Sequence, residues 1–355
     1  MKFRFIISAA ILGVLLCGCS RTQKTVPYEN LGAGRDNPKA APILKIAEAC
    51  LEDFQEERWS SLYGRMSAET RSMLSKSQLA AQCEMLTRRF GVPASVEILE
   101  VHLADFPERR DSLPPMIMSG IEGHSHVLPN PVHLGSPVSG HVALILGKAT
   151  SAGPGLKSWM TLVLRREDGA WGLVSFHMNN CEANGHDGNW FANRAQEFEE
   201  KGMRRIAFLY RNFGAQLLIP SPYIMVPSAS RQLEAAATHQ APPNMPFPGA
   251  RPSETWRVDD GTDFIVESVS IASAPTFLSL EVRYKSDQKE PDSPEAKTER
   301  KKLYEYVMEC FPEYRLAFDG VFIGSITSWG KGFREYFPFA EDSVESVDIS
   351  IDSNS

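Results

Sequence analysis

A chain of 355 residues is longer than one hydrophobic core usually fills, so two domains are the expectation. Hydrophobic residues at 43% and charged residues at 23% are the proportions of a folded globular protein. A net charge of -7, with no block of Lys and Arg to oppose it, argues against nucleic acid as a partner.

The first residues carry a secretory pattern. Lys2 and Arg4 give a positive start, and Phe5 to Leu16 is an apolar run of about a dozen residues. A membrane-spanning helix needs roughly 20, and no later stretch approaches that length of apolar sequence. The run ends in Leu16-Cys17-Gly18-Cys19, which resembles the lipobox of bacterial lipoproteins. That resemblance implies removal of residues 1–18 and a mature chain beginning at Cys19. Its thiol would carry a diacylglyceryl thioether and its amine an acyl chain such as palmitate. Each buried methylene contributes about 0.8 kcal/mol, so two or three chains hold where one would not. Ser20, rather than Asp, implies the outer membrane, with the protein facing the periplasm. Lipid on Cys19 is then the expected contact with the membrane.

Four cysteines remain once Cys17 is removed and Cys19 acylated: Cys50, Cys83, Cys181 and Cys310. An oxidising compartment permits two disulfides among them, and four buried thiols fit the sequence equally well. Cys50 and Cys83 lie in neighbouring helical segments and are the favoured pair. None has the spacing of a metal site.

Residues 19–41, with Pro27, Gly32, Gly34 and Pro38, read as a flexible tether. Ile43, Ile46, Ala47, Cys50, Leu51 and Phe54 then recur at helical spacing, with Pro42 in the first turn. Trp59, Leu62, Tyr63 and Met66 form a second helical piece. Ser75 with Gln78 is a capping box for a third, whose stripe of Leu79, Cys83, Leu86 and Phe90 stops at Gly91 and Pro93. The period then changes to that of strands, at 96–103, 142–146, 159–166 and 170–178. Asp168-Gly169 marks a tight hairpin turn between the last two, and 106–137 is an irregular excursion.

Helices bearing Trp59-x-x-Leu62-Tyr63-x-x-Met66-Ser67 and Leu74-Ser75-x-x-Gln78-Leu79 precede strands ending in Trp171-Gly172-Leu173-Val174-Ser175-Phe176. This order resembles the cone-shaped α+β family of nuclear transport factor 2 and ketosteroid isomerase, over residues 42–180. The resemblance implies helices on a curved antiparallel sheet. Lipid-anchored members of that family are often non-catalytic. Its enzymes place an acid or a histidine inside the cone as general base, for which His102, Asp105, His141 and His177 are candidates. Strand alternation places Trp171, Leu173, Ser175 and His177 on one face, so His177 is expected to point into the cone.

Residues 181–240 are read as a helical hairpin extension. Ala195, Phe198, Gly202, Ala207 and Gly214 resemble half of a tetratricopeptide pattern, small residues that let two helices approach. Five prolines in 241–252 make a semi-rigid linker. Residues 253–339 read as a second α+β domain. Strands at 254–258, 263–272, 276–285, 321–327 and 333–339 form a small antiparallel sheet, covered by one helix facing inward with Leu303, Val307 and Cys310. The acidic end, 340–355, reads as a solvated tail.

His124, His126, His133 and His141 are the candidate metal ligands, since His-x-His can present two imidazoles together; no carboxylate or thiolate stands at ligand spacing beside them. There is no G-x-S-x-G elbow, no H-E-x-x-H and no phosphate-binding G-x-x-x-x-G-K-[ST] loop. Trp190 with Phe191, and Trp329 with Phe333, Tyr336, Phe337 and Phe339, are either core or a partner surface. The expectation is a lipid-anchored envelope protein with no cofactor, binding a protein, an envelope polymer or a small apolar ligand. The alternative is an isomerase- or hydrolase-like enzyme with His177 or Asp105 as base, and a third reading is metal binding.

Overall fold

A computed structural model describes residues 28–34, 36–106, 117–118, 140–152, 157–221, 224–225, 241–247, 252–274, 277–288, 290, 292–327, 332–339 and 349–351. The lipobox with Cys19, the histidines at 124, 126 and 133, and Trp329 lie outside the described residues. The architecture is α+β, and its contacts fall into two compact units. One comprises Ser20–Glu182 with Ala215–Arg231, the other Ala183–Gly214 with Gln232–Ser355.

In the first unit, four helices precede the main strands. Helix α1 (Ala41–Gln55) buries Ile43, Leu44, Ala47, Cys50, Leu51 and Phe54 along one face. Short helices α2 (Trp59–Gly64) and α3 (Ala68–Met73) follow, and the Ser67 hydroxyl caps α3 at Thr70 N. Helix α4 (Lys76–Phe90) begins in a full capping box made by Ser75 and Gln78. It ends at Gly91, where φ is 76° and an added Cβ would lie 2.8 Å from Ser151 Cβ. Only glycine satisfies both conditions there.

The sheet of this unit contains β1 (Tyr28–Asn30), β2 (Pro93–Phe106), β4 (Gly140–Ser151), β5 (Lys157–Glu167) and β6 (Ala170–Asn180), in the order β1-β2-β4-β5-β6. Every neighbouring pair is antiparallel. A separate parallel pair joins β3 (Ile117–Met118) to β9 (Ile224–Met225). Asp168 and Gly169 have φ of 48° and 86°, as the expected hairpin turn requires. One face of the sheet meets the helices. Val101, Ala143, Ile145, Met160, Leu162, Leu164 and Leu173 pack there with Ile43, Cys50, Phe54, Leu62 and Cys83. Phe54 stacks on Phe176 at 4.6 Å and meets Trp59 edge-on at 5.4 Å. The opposite face carries a second apolar group, including Ala104, Val142, Leu144, Leu146, Trp159, Val163, Val174 and Ile224. Burying each large apolar side chain contributes roughly 1.5–3 kcal/mol, so both faces stabilise the sheet.

Three features differ from the sequence expectation. Tyr28–Asn30, read as tether, is a strand registered on His102–Ala104 of β2. Its side-chain contacts come from residues some 70 positions away, which local sequence does not reveal. The register of β6 shifts between its pairings with Val163 and Leu164, so Val174 is an extra residue in the strand. A bulge of this kind inverts the alternation that follows it. Trp171 and Leu173 therefore pack on the helix side together with Phe176 and Met178, whereas Ser175 and His177 point to the opposite face. His177 does not enter the helix-covered interior. Lastly, Cys50 and Cys83 are buried free thiols and form no disulfide.

The edge strand β6 is clipped by the chain before α3. Ser67 N donates to Leu173 O, and Leu173 N to Arg65 O, each at 2.8 Å. Gly172 makes this approach possible, because a Cβ there would sit 2.8 Å from Ser67 Cα.

In the second unit, a two-residue ladder of β7 (Glu182–Ala183) and β8 (His186–Asp187) leads into α5 (Gly188–Glu200), capped by Asp187. Helix α6 (Arg204–Leu217) completes the hairpin, and the division between units falls within it, after Gly214. A Cβ on Gly214 would lie 2.6 Å from Gly188 O, so the expected small-residue approach of two helices is present. The six-stranded sheet runs β10 (Glu254–Arg257), β11 (Asp263–Ala274), β12 (Phe277–Ser286), β13 (Gly320–Thr327), β14 (Gly332–Pro338) and β15 (Ile349–Ile351). Its pairs are antiparallel except β12 with β13, which are parallel. The connection between those two is helix α7 (Pro294–Cys310) with a 3-10 turn (Pro312–Leu316), the crossover that parallel strands need. Leu303 and Val307 of α7 are buried as expected, whereas Cys310, at its last position, is exposed.

Two further segments depart from expectation. Ala241, Met245 and Phe247, read as linker, are buried, and Val269 N donates to Pro246 O at 2.8 Å. Proline lacks a donor but keeps its carbonyl, so this stretch pairs as an acceptor. Ile349–Ile351, read as part of the acidic tail, is an edge strand on β14. Its Ile-Ser-Ile alternation suits a strand where the preceding acids do not.

Candidate functional site

The polar side chains that could do chemistry in the first unit are spread over its sheet rather than gathered in the helix-covered interior. Asp105 and His141 face each other across β2 and β4, where His141 Nδ1 meets Asp105 Oδ1. Both are open to solvent, at 72% and 70% exposure, so water competes for that contact. His177 lies on β6 opposite Thr161 of β5, and β4 and β5 stand between its strand and that of Asp105. The two candidate bases are thus not brought together. His177 Nε2 lies 3.0 Å from Ser175 Oγ. Burial alone pushes its pKa down to about 4, so the ring is neutral at physiological pH.

A second polar group surrounds His102. On a strand, residues two apart share a face, and His102 Nε2 accordingly lies 2.9 Å from Glu100 Oε2. The other Glu100 oxygen accepts from Asn30 Nδ2 at 3.2 Å, and Tyr28 presents its ring edge-on to His102 at 5.3 Å. His102 is fully buried, and its Nδ1 has no hydrogen-bond partner. The Tyr28 hydroxyl is pushed up by burial and by the Glu100 charge. The arrangement fastens β1 to β2, with one imidazole nitrogen left unsatisfied. Glu100 was legible as a partner from the Glu-x-His spacing. Asn30 and Tyr28 were not.

Other buried charges serve the packing of helices. Asp53 of α1 receives Arg58 Nε at 2.9 Å and Arg65 Nε at 2.5 Å. Burial opposes its ionisation, but bonds from Arg65, Ser61 and Arg58 outweigh that and hold the carboxyl below its usual range. In the second unit Arg300 of α7 is fully buried. It donates to Glu335 Oε2 at 2.7 Å and lies 4.4 Å above the Phe333 ring. Neighbouring Glu299 accepts from Ser286 Oγ and Gln288 Nε2 at 2.8 and 2.7 Å, binding the segment before α7 to the helix. None of these residues was identified from sequence. Each was simply one charge among many.

The aromatic groups divide by alternation. Phe333 and Phe337 face α7, where Phe337 stacks on Tyr304 at 4.6 Å. Tyr336, between them, packs with Phe277 and Phe322 on the other side of the sheet. Trp190 is 37% exposed and stacks on His186 at 3.7 Å, whereas Phe191 is buried. A depression of about 610 Å³, lined by Leu31, Ala33, Gly34, Asp36, Asn37 and Pro38, lies before α1 and carries none of the candidate bases.

Burial pushes the Cys50 and Cys83 thiols up to about 12 and Cys181 up to about 11, so these are unreactive core residues. Among the described residues no group of three or more His, Cys, Asp or Glu could hold a metal ion, and no helix is long and apolar enough to cross a membrane. Comparison with family models, curated proteins and solved structures finds no match to this chain.

Proposed function

We propose that this protein is held in the cell envelope by lipid on Cys19, facing the periplasm from the outer membrane, and that it acts by binding rather than by catalysis. One observation carries the second part. The space between helices and sheet is filled by a continuous apolar cluster, while the side chains able to move protons lie elsewhere. An enzyme of the cone-shaped family would have its base inside that space. Four helices laid on a long antiparallel sheet support the resemblance to that family as a scaffold. A filled interior favours a macromolecular partner, either an envelope protein or polymer, over a small apolar ligand in the cone.

The lipidated chain, recovered from chemically cross-linked envelopes, is expected to carry a specific partner that is lost with Cys19→Ala. An empty recovery from correctly anchored protein, or turnover of an envelope metabolite abolished by His177→Ala, would overturn the binding reading.

A further inference from the structure

The register of the second sheet sets out the face turned away from α7. Ser268 of β11, Arg283 of β12, Gly324 of β13 and Arg334 of β14 lie in one row across four strands. The next row on that face is Ser270, Glu281, Phe322 and Tyr336. Two arginines thus flank Gly324, and since neighbouring strands lie 4.7–4.9 Å apart, their Cα atoms are about 10 Å from each other. A Cβ added to Gly324 would meet Arg283 Cγ at 3.4 Å, and the nearest atoms after it are backbone carbonyl oxygens at 3.7 and 3.8 Å. Gly320, by contrast, is roofed by Tyr336, whose Oη would lie 2.6 Å from such a Cβ. The missing side chain at Gly324 leaves a gap between the two arginine stems.

Among the described residues, every other arginine that is buried or half-buried has a carboxylate oxygen within 3.9 Å. Arg334 has none. Its guanidinium lies 4.6 Å over the Phe322 ring, and its Nε is buried with no hydrogen-bond partner. The other basic residues on this face are matched. Arg283 Nη2 meets Glu281 Oε1 at 3.0 Å, Lys285 meets Glu267 at 3.6 Å, and Arg257 meets Asp263 at 2.7 Å. One positive charge is therefore left over, on a chain whose net charge is -7. A guanidinium held over a ring keeps its edge N–H groups for bidentate bonding to a planar anion.

We infer that Arg334, with Arg283 across Gly324, binds the carboxylate of an organic acid whose apolar part rests against Phe277 and Tyr336. Those two rings lie 5.9 Å apart, and 6.2 and 4.9 Å from Phe322, so an aromatic surface adjoins the guanidiniums. The single uncompensated charge matches a monoanion. A phosphate dianion would bring a second negative charge against Glu281 and is disfavoured. The site lies wholly in the second unit and does not depend on the lipid anchor.

Titration of fluorobenzoate against the full chain, followed by its fluorine NMR signal, tests this. Saturable binding is expected, displaced by benzoate at concentrations where inorganic phosphate has no effect. Arg334→Gln should weaken it by about tenfold or more, through loss of a charge-assisted bidentate contact. Glu281→Gln should strengthen it severalfold, because the Glu281 carboxylate competes for Arg283. Absence of saturable binding, equal binding in Arg334→Gln, or equal displacement by phosphate overturns the inference. Should Arg334→Gln fail to fold, Glu281→Gln decides it, and binding that is weakened rather than strengthened there overturns the inference as well.

Discussion

The two units bury their polar groups in opposite ways. In the first, helices and sheet meet through an apolar cluster beside which the buried Asp53 of α1 is paired with Arg58 and Arg65, and the buried Glu100 and His102 are paired with each other on β2. In the second, a fully buried charged side chain of the covering helix meets the sheet, where Arg300 pairs with Glu335 over the Phe333 ring. An apolar interface gains from area and tolerates small shifts. An ion pair gains little net stability but penalises any arrangement that leaves one member alone. The contrast fits the topologies. Local hairpins fix much of the register of the first sheet, whereas the parallel pair β12–β13 must be registered through a long crossover.

The largest effect that would break this contrast is expected from Phe54→Ala. Removing the ring that joins Trp59 to Phe176 should cost about 4 kcal/mol through lost burial and a cavity. Peptide-resolved hydrogen exchange should show the loss in α1 and β6; an equal loss throughout the chain would mean that the units unfold as one. Arg300→Ala should cost about 3 kcal/mol by stranding Glu335, and Arg300→Met with Glu335→Gln should recover most of it. If the double variant is no better than the single one in denaturant unfolding, packing rather than charge holds α7. The smallest effect is expected from Ser75→Ala, which removes the capping box of α4 at a cost of about 1 kcal/mol. A fall in thermal midpoint without faster exchange at the start of α4 would place that effect elsewhere.

What could be read from sequence was what short-range chemistry dictates. The box at Ser75, the turn at Asp168-Gly169 and the strand periods of the second unit each depend on residues within a few positions. The missed features depend on distance. Strand β1 exists because Asn30 finds Glu100, and the parallel pairing of β12 follows from where α7 crosses. The face assigned to His177 failed through a single inserted residue, since alternation has no memory of a bulge. The candidate bases were single residues on a sequence, and strand order, which no local pattern reveals, sets Asp105 and His141 on β2 and β4 and His177 apart from them on β6.

The clip on β6 and the strand Ile349–Ile351 on β14 have a consequence for encounters between copies of the chain, because open sheet edges are where such encounters become irreversible. Here Arg65–Ser67 occupies part of one edge. The chain's own last strand occupies another, with Pro338, which has no N–H to offer, at the end of β14. These fittings leave less open edge on each sheet for a second copy of the chain to extend, which is how such sheets avoid zipping together into fibres.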